Sequence, residues 1–157
     1  MTITSCTEKI ESIRALPERL TDAVRGLTEA QLDTPYRDGG WSPRQIVHHV
    51  ADAHMNAFVR MMLILTEDHP KVKPYEQDAW AKTSSYKGPL EPSLAIIGGL
   101  HSRMASLFES LGDGEWSRTM NHPERGDESL ETVLEMYANH GRAHVEQILS
   151  LRRQRGW

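Results

Sequence analysis

Eight histidines are the residues of this 157-residue chain most suited to chemistry, and two of them, His140 and His144, stand four apart. They fall within an apolar stripe, Leu130, Val133, Leu134, Tyr137 and then Ile148 and Leu151, where leucine or valine would continue the pattern. On a helix, residues i and i+4 lie one turn apart on one face, so the two imidazoles reach a common point. Such a pair is the start of a site for a metal ion. The competing reading is a pair of hydrogen-bonded core histidines, and spacing alone leaves both open.

A second stretch, Ile46-Val47-His48-His49-Val50-Ala51-Asp52-Ala53-His54, supplies a third nitrogen. The inward row Ile46, Val50, Ala53 and Ala57 takes in His49, while His48 points about 100° away around a helix. The apolar face is broad, so spacing leaves either histidine available. One of them with His140 and His144 makes a three-nitrogen site between facing helices, a common place for metals in bundles. Structural zinc is normally closed by four ligands, often with cysteine. The one cysteine, Cys6, is near the N-terminus, so a closed site is not expected. An open fourth position suits catalysis, with either a metal-acidified water or another activated nucleophile such as a thiolate. Imidazoles accept zinc, nickel, copper or iron, and sequence does not choose among them.

Asp52 follows His48 and His49 by one turn and is placed to orient a ligand or act as a base, against the plain reading of a solvated carboxylate. Arg60 lies beyond His49 near the inward row and is a candidate to bind an anionic substrate, with a surface position as the alternative. Arg37, Arg44 and Arg142, with Arg60, are candidates for a basic pocket should the substrate be a thiol bearing carboxylates, against the plain reading of surface arginines. His54, His69, His101 and His122 are read as non-ligands. His69 and His122 each precede a proline and could line the mouth of a site.

The elements that position these residues are helical. Apolar spacing predicts long helices over about 7–26, 43–67, 92–111 and 130–154, with short ones at 28–32 and 76–80. Capping boxes begin at Thr28 and Ser42, and Ser129 caps the last helix. Pro17 predicts a kink or break near Ala15–Leu16, and the Gly98-Gly99 pair would let a neighbour approach closely. Strand signals are almost absent. The expectation is an all-α four-helix bundle, one domain over 1–157, with long connections at 68–91 and 112–128. The charge balance, 18 basic against 22 acidic residues, gives no electrostatic basis for a nucleic-acid partner. No run of about 18 apolar residues predicts a membrane span. The polar start and the single cysteine predict a soluble, cytoplasmic chain. Phe58, Met61, Met62, Leu65 and Trp80 either pack within the bundle or form a dimer interface.

The segment TPYRDGGWSPRQIVHHVADAHMNAFVRMMLILTED, followed by KPYEQDAWA, closely resembles the YfiT branch of the DinB/YfiT-like metalloenzymes. The C-terminal helix, from Tyr137-Ala-Asn-His140-Gly-Arg-Ala-His144 to Trp157, resembles the same branch. The resemblance implies an up-down four-helix bundle holding one divalent metal, zinc or nickel, often in a homodimer. It implies His49, before the Val50-Ala51-Asp52 step, with His140 and His144 as ligands. Asn139, Ala143 and Gln147 depart from the family's histidine-rich or aromatic positions. The implied activity is a metal-dependent hydrolase on a small-molecule substrate. The alternatives are an S-transferase for a low-molecular-weight thiol such as bacillithiol, and a non-catalytic metal-binding bundle.

Overall fold

The computed structural model describes residues 3–157. Four long helices, α1 (Ile3–Val24), α3 (Pro43–Thr66), α5 (Glu91–Ser110) and α6 (Leu130–Arg155), form a four-helix bundle. Two short helices, α2 (Glu29–Leu32) and α4 (Gln77–Trp80), and a 3-10 turn (Ser84–Lys87) lie on the connections. An antiparallel hairpin, β1 (Thr119–His122) and β2 (Gly126–Ser129), leads into α6.

Local chemistry sets the helix ends. Ser42 caps α3 through the backbone N–H of Gln45, the Gln45 side chain accepts from the Ser42 N–H, and Pro43 occupies the first turn. Thr28 and Gln31 do the same for α2. Ser129 accepts from the Thr132 N–H at the start of α6. At the other end of α6, Arg152 donates to the carbonyls of Ala23 and Arg25, each at 3.0 Å. Those carbonyls close the C-terminal end of α1, where backbone acceptors lack helical partners.

Side-chain pairs give the helix directions. Lys9 meets Glu135 and Arg152 meets Ala23, so α1 and α6 run parallel. His48 meets Ser93, His54 meets His101 and Arg103 stacks on Phe58, so α3 and α5 also run parallel. In the core, Ala57, Met61 and Ile64 share a cluster with Leu130, Val133 and Leu134, whereas Ile46 and Val50 share another with Val145 and Ile148. Helices α3 and α6 are therefore antiparallel. The course is up, down, down, up, with ring order α1–α5–α3–α6. Consecutive parallel helices need a connection as long as the bundle, which accounts for the extended run between α3 and α5.

Several expectations are refined. Helix α1 is continuous through Pro17. The missing proline N–H would have bonded Ile13, four residues back, and that carbonyl instead accepts from His101 Nδ1 at 2.6 Å. No neighbour comes within 4 Å of a side chain added at Gly98 or Gly99, so the pair marks no close approach. The close approach is at Gly141, where an added Cβ would lie 2.4 Å from Leu16 Cδ2. The hairpin was not expected from the sequence. Its strands are four residues each and mostly polar, with Met120 and Glu128 the buried pair across the register. Gly126 turns it, with φ 78°. Met61 is fully buried and unavailable to an interface, while Met62 and Trp80 are exposed. No described helix is long and apolar enough to cross a membrane.

The Gly141 contact yields a test. Gly141→Ala should gain helix propensity of about 1 kcal/mol but lose more by overpacking, typically about 1–3 kcal/mol. The expected net is a destabilisation of about 1 kcal/mol in urea unfolding, reversing to a stabilisation in a Leu16→Ala background, where the obstructing methyls are gone. Stabilisation in the native background would contradict the packing.

Candidate metal centre

Helix α6 presents His140 and His144 inward, and α3 runs antiparallel to it with His49 opposite. The Nε2 atoms of His49 and His140 lie 3.2 Å apart, and those of His144 and His140 also 3.2 Å apart. One nitrogen from each ring falls within 4.8 Å of the others. A tetrahedral zinc with bonds of about 2.0–2.1 Å would hold two nitrogens about 3.3 Å apart. The spacing therefore fits a shared divalent ion. His144 Nδ1 donates to Gln147 Oε1 at 2.8 Å, which leaves its Nε2 as the lone-pair nitrogen. His49 Nδ1 is buried without a hydrogen-bond partner. Trp41 packs on this ring at 4.4 Å between centroids and stacks near His144 at 6.2 Å.

Burial also sets the protonation state. It pushes His49 down to about 3, with the His144 charge adding to the effect. It likewise pushes His140 down to about 3, with smaller contributions from His144 and His49. Burial lowers His144 too, partly offset by the Gln147 bond. All three rings are neutral near pH 7, the form that binds metal.

Two further histidines stand behind the three. His54 Nε2 is 3.1 Å from His140 Nδ1, and His101 Nε2 is 2.8 Å from His54 Nδ1. Both are fully buried. Sequence reading set them aside as non-ligands, and the structure places neither in the group of three. His101 was legible as a core position, since it continues the α5 row Ile97, Met104, Ala105, Phe108.

His49 and His140 open onto a cleft of about 390 Å³. Its walls include Arg60, Tyr75, His122, Arg125 and Tyr137. Arg60 is buried, not superficial, and donates to the Lys73 carbonyl at 3.1 Å. Burial raises the Tyr75 hydroxyl to about 12 and raises Tyr137 as well, so both are protonated donors at neutral pH. Arg125 is held by both carboxylate oxygens of Glu128. The hairpin brings His122 and Arg125 here, and sequence reading missed Arg125. Its signal was the proline, charged residues and glycine of a turn, Pro123-Glu124-Arg125-Gly126.

The remaining predicted residues lie elsewhere. His48 turns to Ser93, with Nδ1 2.8 Å from its hydroxyl, which separates it from His49. Asp52 accepts from the Tyr86 hydroxyl at 2.7 Å and has no hydrogen bond to the three histidines. His69 bonds Thr119 and pairs with Asp127 on the hairpin, outside the cleft wall. Arg44 is buried and consumed by Asp33, Glu29 and the Gly88 carbonyl, so it is a structural cation and not a basic wall. Arg37 stacks on its neighbour Tyr36, and Arg142 bonds Asn139 at the surface.

The chain is similar to several known proteins. A protein of Bacillus cereus (strain B4264) named "putative metal-dependent hydrolase" is 45% identical over 148 residues, covering 94% of this chain and 86% of its own. A protein of Bacillus thuringiensis subsp. konkukian (strain 97-27) with the same name has the same identity and coverage. YfiT from Bacillus subtilis, described as "a probable metal-dependent hydrolase with an unusual four-helix bundle topology", superposes with a TM-score of 0.97 at 38% identity, covering 100% of this chain and 91% of that one. The mycothiol-dependent maleylpyruvate isomerase shares the fold, with a TM-score of 0.72 at 14% identity over 94% of this chain and 63% of its own. Residues 12–148 match the DinB superfamily, and the chain belongs to that family.

Proposed function

We propose that the chain is a divalent-metal-dependent hydrolase of a small substrate, with His49, His140 and His144 holding one zinc or nickel ion per chain. The observation that carries the reading is the convergence of three neutral Nε2 atoms, two of whose rings line one cleft. The names of the 45%-identical relatives support it. A divalent ion held by three protein nitrogens with one position open supplies an acidified water near neutral pH.

The chain's own groups do the rest. Gln147 orients His144, and Trp41 packs against the His49 ring and stacks near His144. Arg60 anchors an anionic group on the substrate, as a guanidinium suits a carboxylate. The Tyr75 and Tyr137 hydroxyls, protonated at neutral pH, donate hydrogen bonds to substrate oxygens. Asp52 is engaged with Tyr86 and is not among these groups.

Metal analysis of the untagged protein should find about one divalent ion per chain, and His140→Ala should lose it, since metal needs its ligand set. Little metal after reconstitution, or full occupancy in the variant, would sink the reading. The loaded protein should hydrolyse some member of a panel of small carboxylate-bearing esters and amides. Arg60→Met should raise KM roughly tenfold or more for them, the scale of one lost charged hydrogen bond. Conjugation of a low-molecular-weight thiol to an electrophile, without hydrolysis, would replace the hydrolase reading with a transferase.

The histidines also make a pH prediction for the metal-free protein. His49 and His140 have folded values near 3 against about 6.5 unfolded. The unfolded chain therefore binds more protons between those values, and stability falls as pH falls through that window. Above about 6.5 the contribution is complete. Urea midpoints should drop from pH 7 to pH 5, above the carboxylate range. A flat or rising midpoint would contradict the assignment of neutral rings.

A further inference from the structure

We propose that Ile13, His101 and His54 form a positioning relay that fixes His140 as its Nδ1–H tautomer and thereby aims its Nε2 lone pair at the metal position. The inference deepens the metal-site reading and rests on it.

The direction of the relay follows from its first member. Pro17 has no N–H, so the Ile13 carbonyl lacks its helical donor. A carbonyl oxygen can only accept. His101 Nδ1, 2.6 Å away, must therefore carry a hydrogen. A neutral imidazole carries one N–H, so His101 Nε2 is an acceptor. It lies 2.8 Å from His54 Nδ1, which must then donate. His54 Nε2 becomes an acceptor in turn, 3.1 Å from His140 Nδ1, which donates to it. The one nitrogen left on His140 is Nε2, unprotonated and 3.2 Å from the Nε2 atoms of both His49 and His144.

Neutrality is the condition for this reasoning, and burial supplies it. His54 and His101 are both fully buried. A charged imidazolium at either position would be cut off from water, which burial disfavours. The alternative tautomer of any one ring would set two N–H groups against each other or two lone pairs against each other, in a site that water does not reach. His144 is fixed separately by Gln147, so its Nε2 lone pair faces that of His140 at 3.2 Å. Two facing lone pairs repel unless a cation lies between them. The relay thus creates, at the bundle centre, a demand that a divalent ion meets.

The chemistry of the relay differs from a carboxylate partner. Metal-bound histidines often donate their second N–H to a carboxylate or a backbone carbonyl. Here the carbonyl is reached through two imidazoles, and no negative charge is added. The ion would keep its full positive charge for the substrate.

The test uses histidine-selective ¹⁵N labelling of the full-length protein and long-range ¹H–¹⁵N correlations, metal-free and then with zinc. Metal-free, His101, His54 and His140 should all be Nδ1–H tautomers, and zinc should move the His140 Nε2 signal while leaving the tautomers unchanged. An Nε2–H on any of the three in the metal-free protein overturns the proposal, whether or not the protein then binds zinc. His101→Gln keeps both a donor for Ile13 and an acceptor for His54, and should retain the His140 tautomer and zinc affinity within about threefold. His101→Leu should release the tautomer and weaken zinc by about 10–100-fold, the range for lost outer partners of metal ligands, in protein that still unfolds cooperatively in urea. Native zinc affinity in His101→Leu overturns it also. If that variant does not fold, the wild-type tautomers decide alone. A wild type with the predicted tautomers that binds no metal would retire the metal-site reading and the relay's purpose with it, yet leave its direction standing.

Discussion

Two imidazoles buried beyond the reach of water must find every hydrogen bond in the protein. A buried polar group left unpaired costs about 1–3 kcal/mol, against a total stability of about 5–15 kcal/mol for a typical domain. His54 and His101 carry four ring nitrogens between them, and each nitrogen is matched. The partners come from every long helix: Ile13 on α1, His101 on α5, His54 on α3 and His140 on α6. The apolar residues divide around this layer. Ala57, Met61, Met104 and Leu134 pack in one cluster, Leu20, Ile46, Ile97 and Ile148 in another. Sliding any helix by one turn would bury an unmatched nitrogen, so the layer sets helix register more sharply than the apolar clusters can. Aliphatic side chains tolerate repacking, whereas hydrogen bonds weaken steeply with distance and angle.

The helix course serves the same layer. Running α3 and α5 parallel sets His54 beside His101 and His48 beside Ser93. Parallel neighbours require a long return, and that return has a second use. Its residues Pro74 to Asp78 form one wall of the cleft in front of His49 and His140. The hairpin before α6 forms another, and a backbone bridge between Lys71 and Asn121 joins the two. The cleft is therefore a product of the topology. A strictly alternating bundle with short turns would have the histidines but little in front of them.

Much of this was legible in the sequence for a physical reason. Helix periodicity is local, so the interrupted stripe on α6 exposed His140 and His144, and the capping residues Thr28, Ser42 and Ser129 sit where their helices begin. What was not legible depends on partners far along the chain. Pro17 reads as a helix breaker until His101, 84 positions away, takes the freed carbonyl. Arg44 reads as a free cation until Asp33, Glu29 and Gly88 surround it. The choice between His48 and His49 needed the resemblance to known proteins, because the α3 face is apolar on both sides. The hairpin escaped because its strands are short and hold little of the alternation that marks a half-buried sheet. Gly98 and Gly99 have no steric explanation in the structure.

The three histidines are not held alike. His140 is fixed from behind through two other rings, and His144 is fixed by Gln147 within its own helix. His49 has no partner for Nδ1, so its orientation rests on packing against Trp41. Gly141, one residue after His140, lets α6 press against Leu16 of α1. His140 and His144 are therefore held by hydrogen bonds and His49 by packing, and the cleft opens past His49 and His140. His144 is absent from the cleft wall and Trp41 lies near it. The open side of the cluster is thus the one where the charged and phenolic donors of Arg60, Tyr75 and Tyr137 stand.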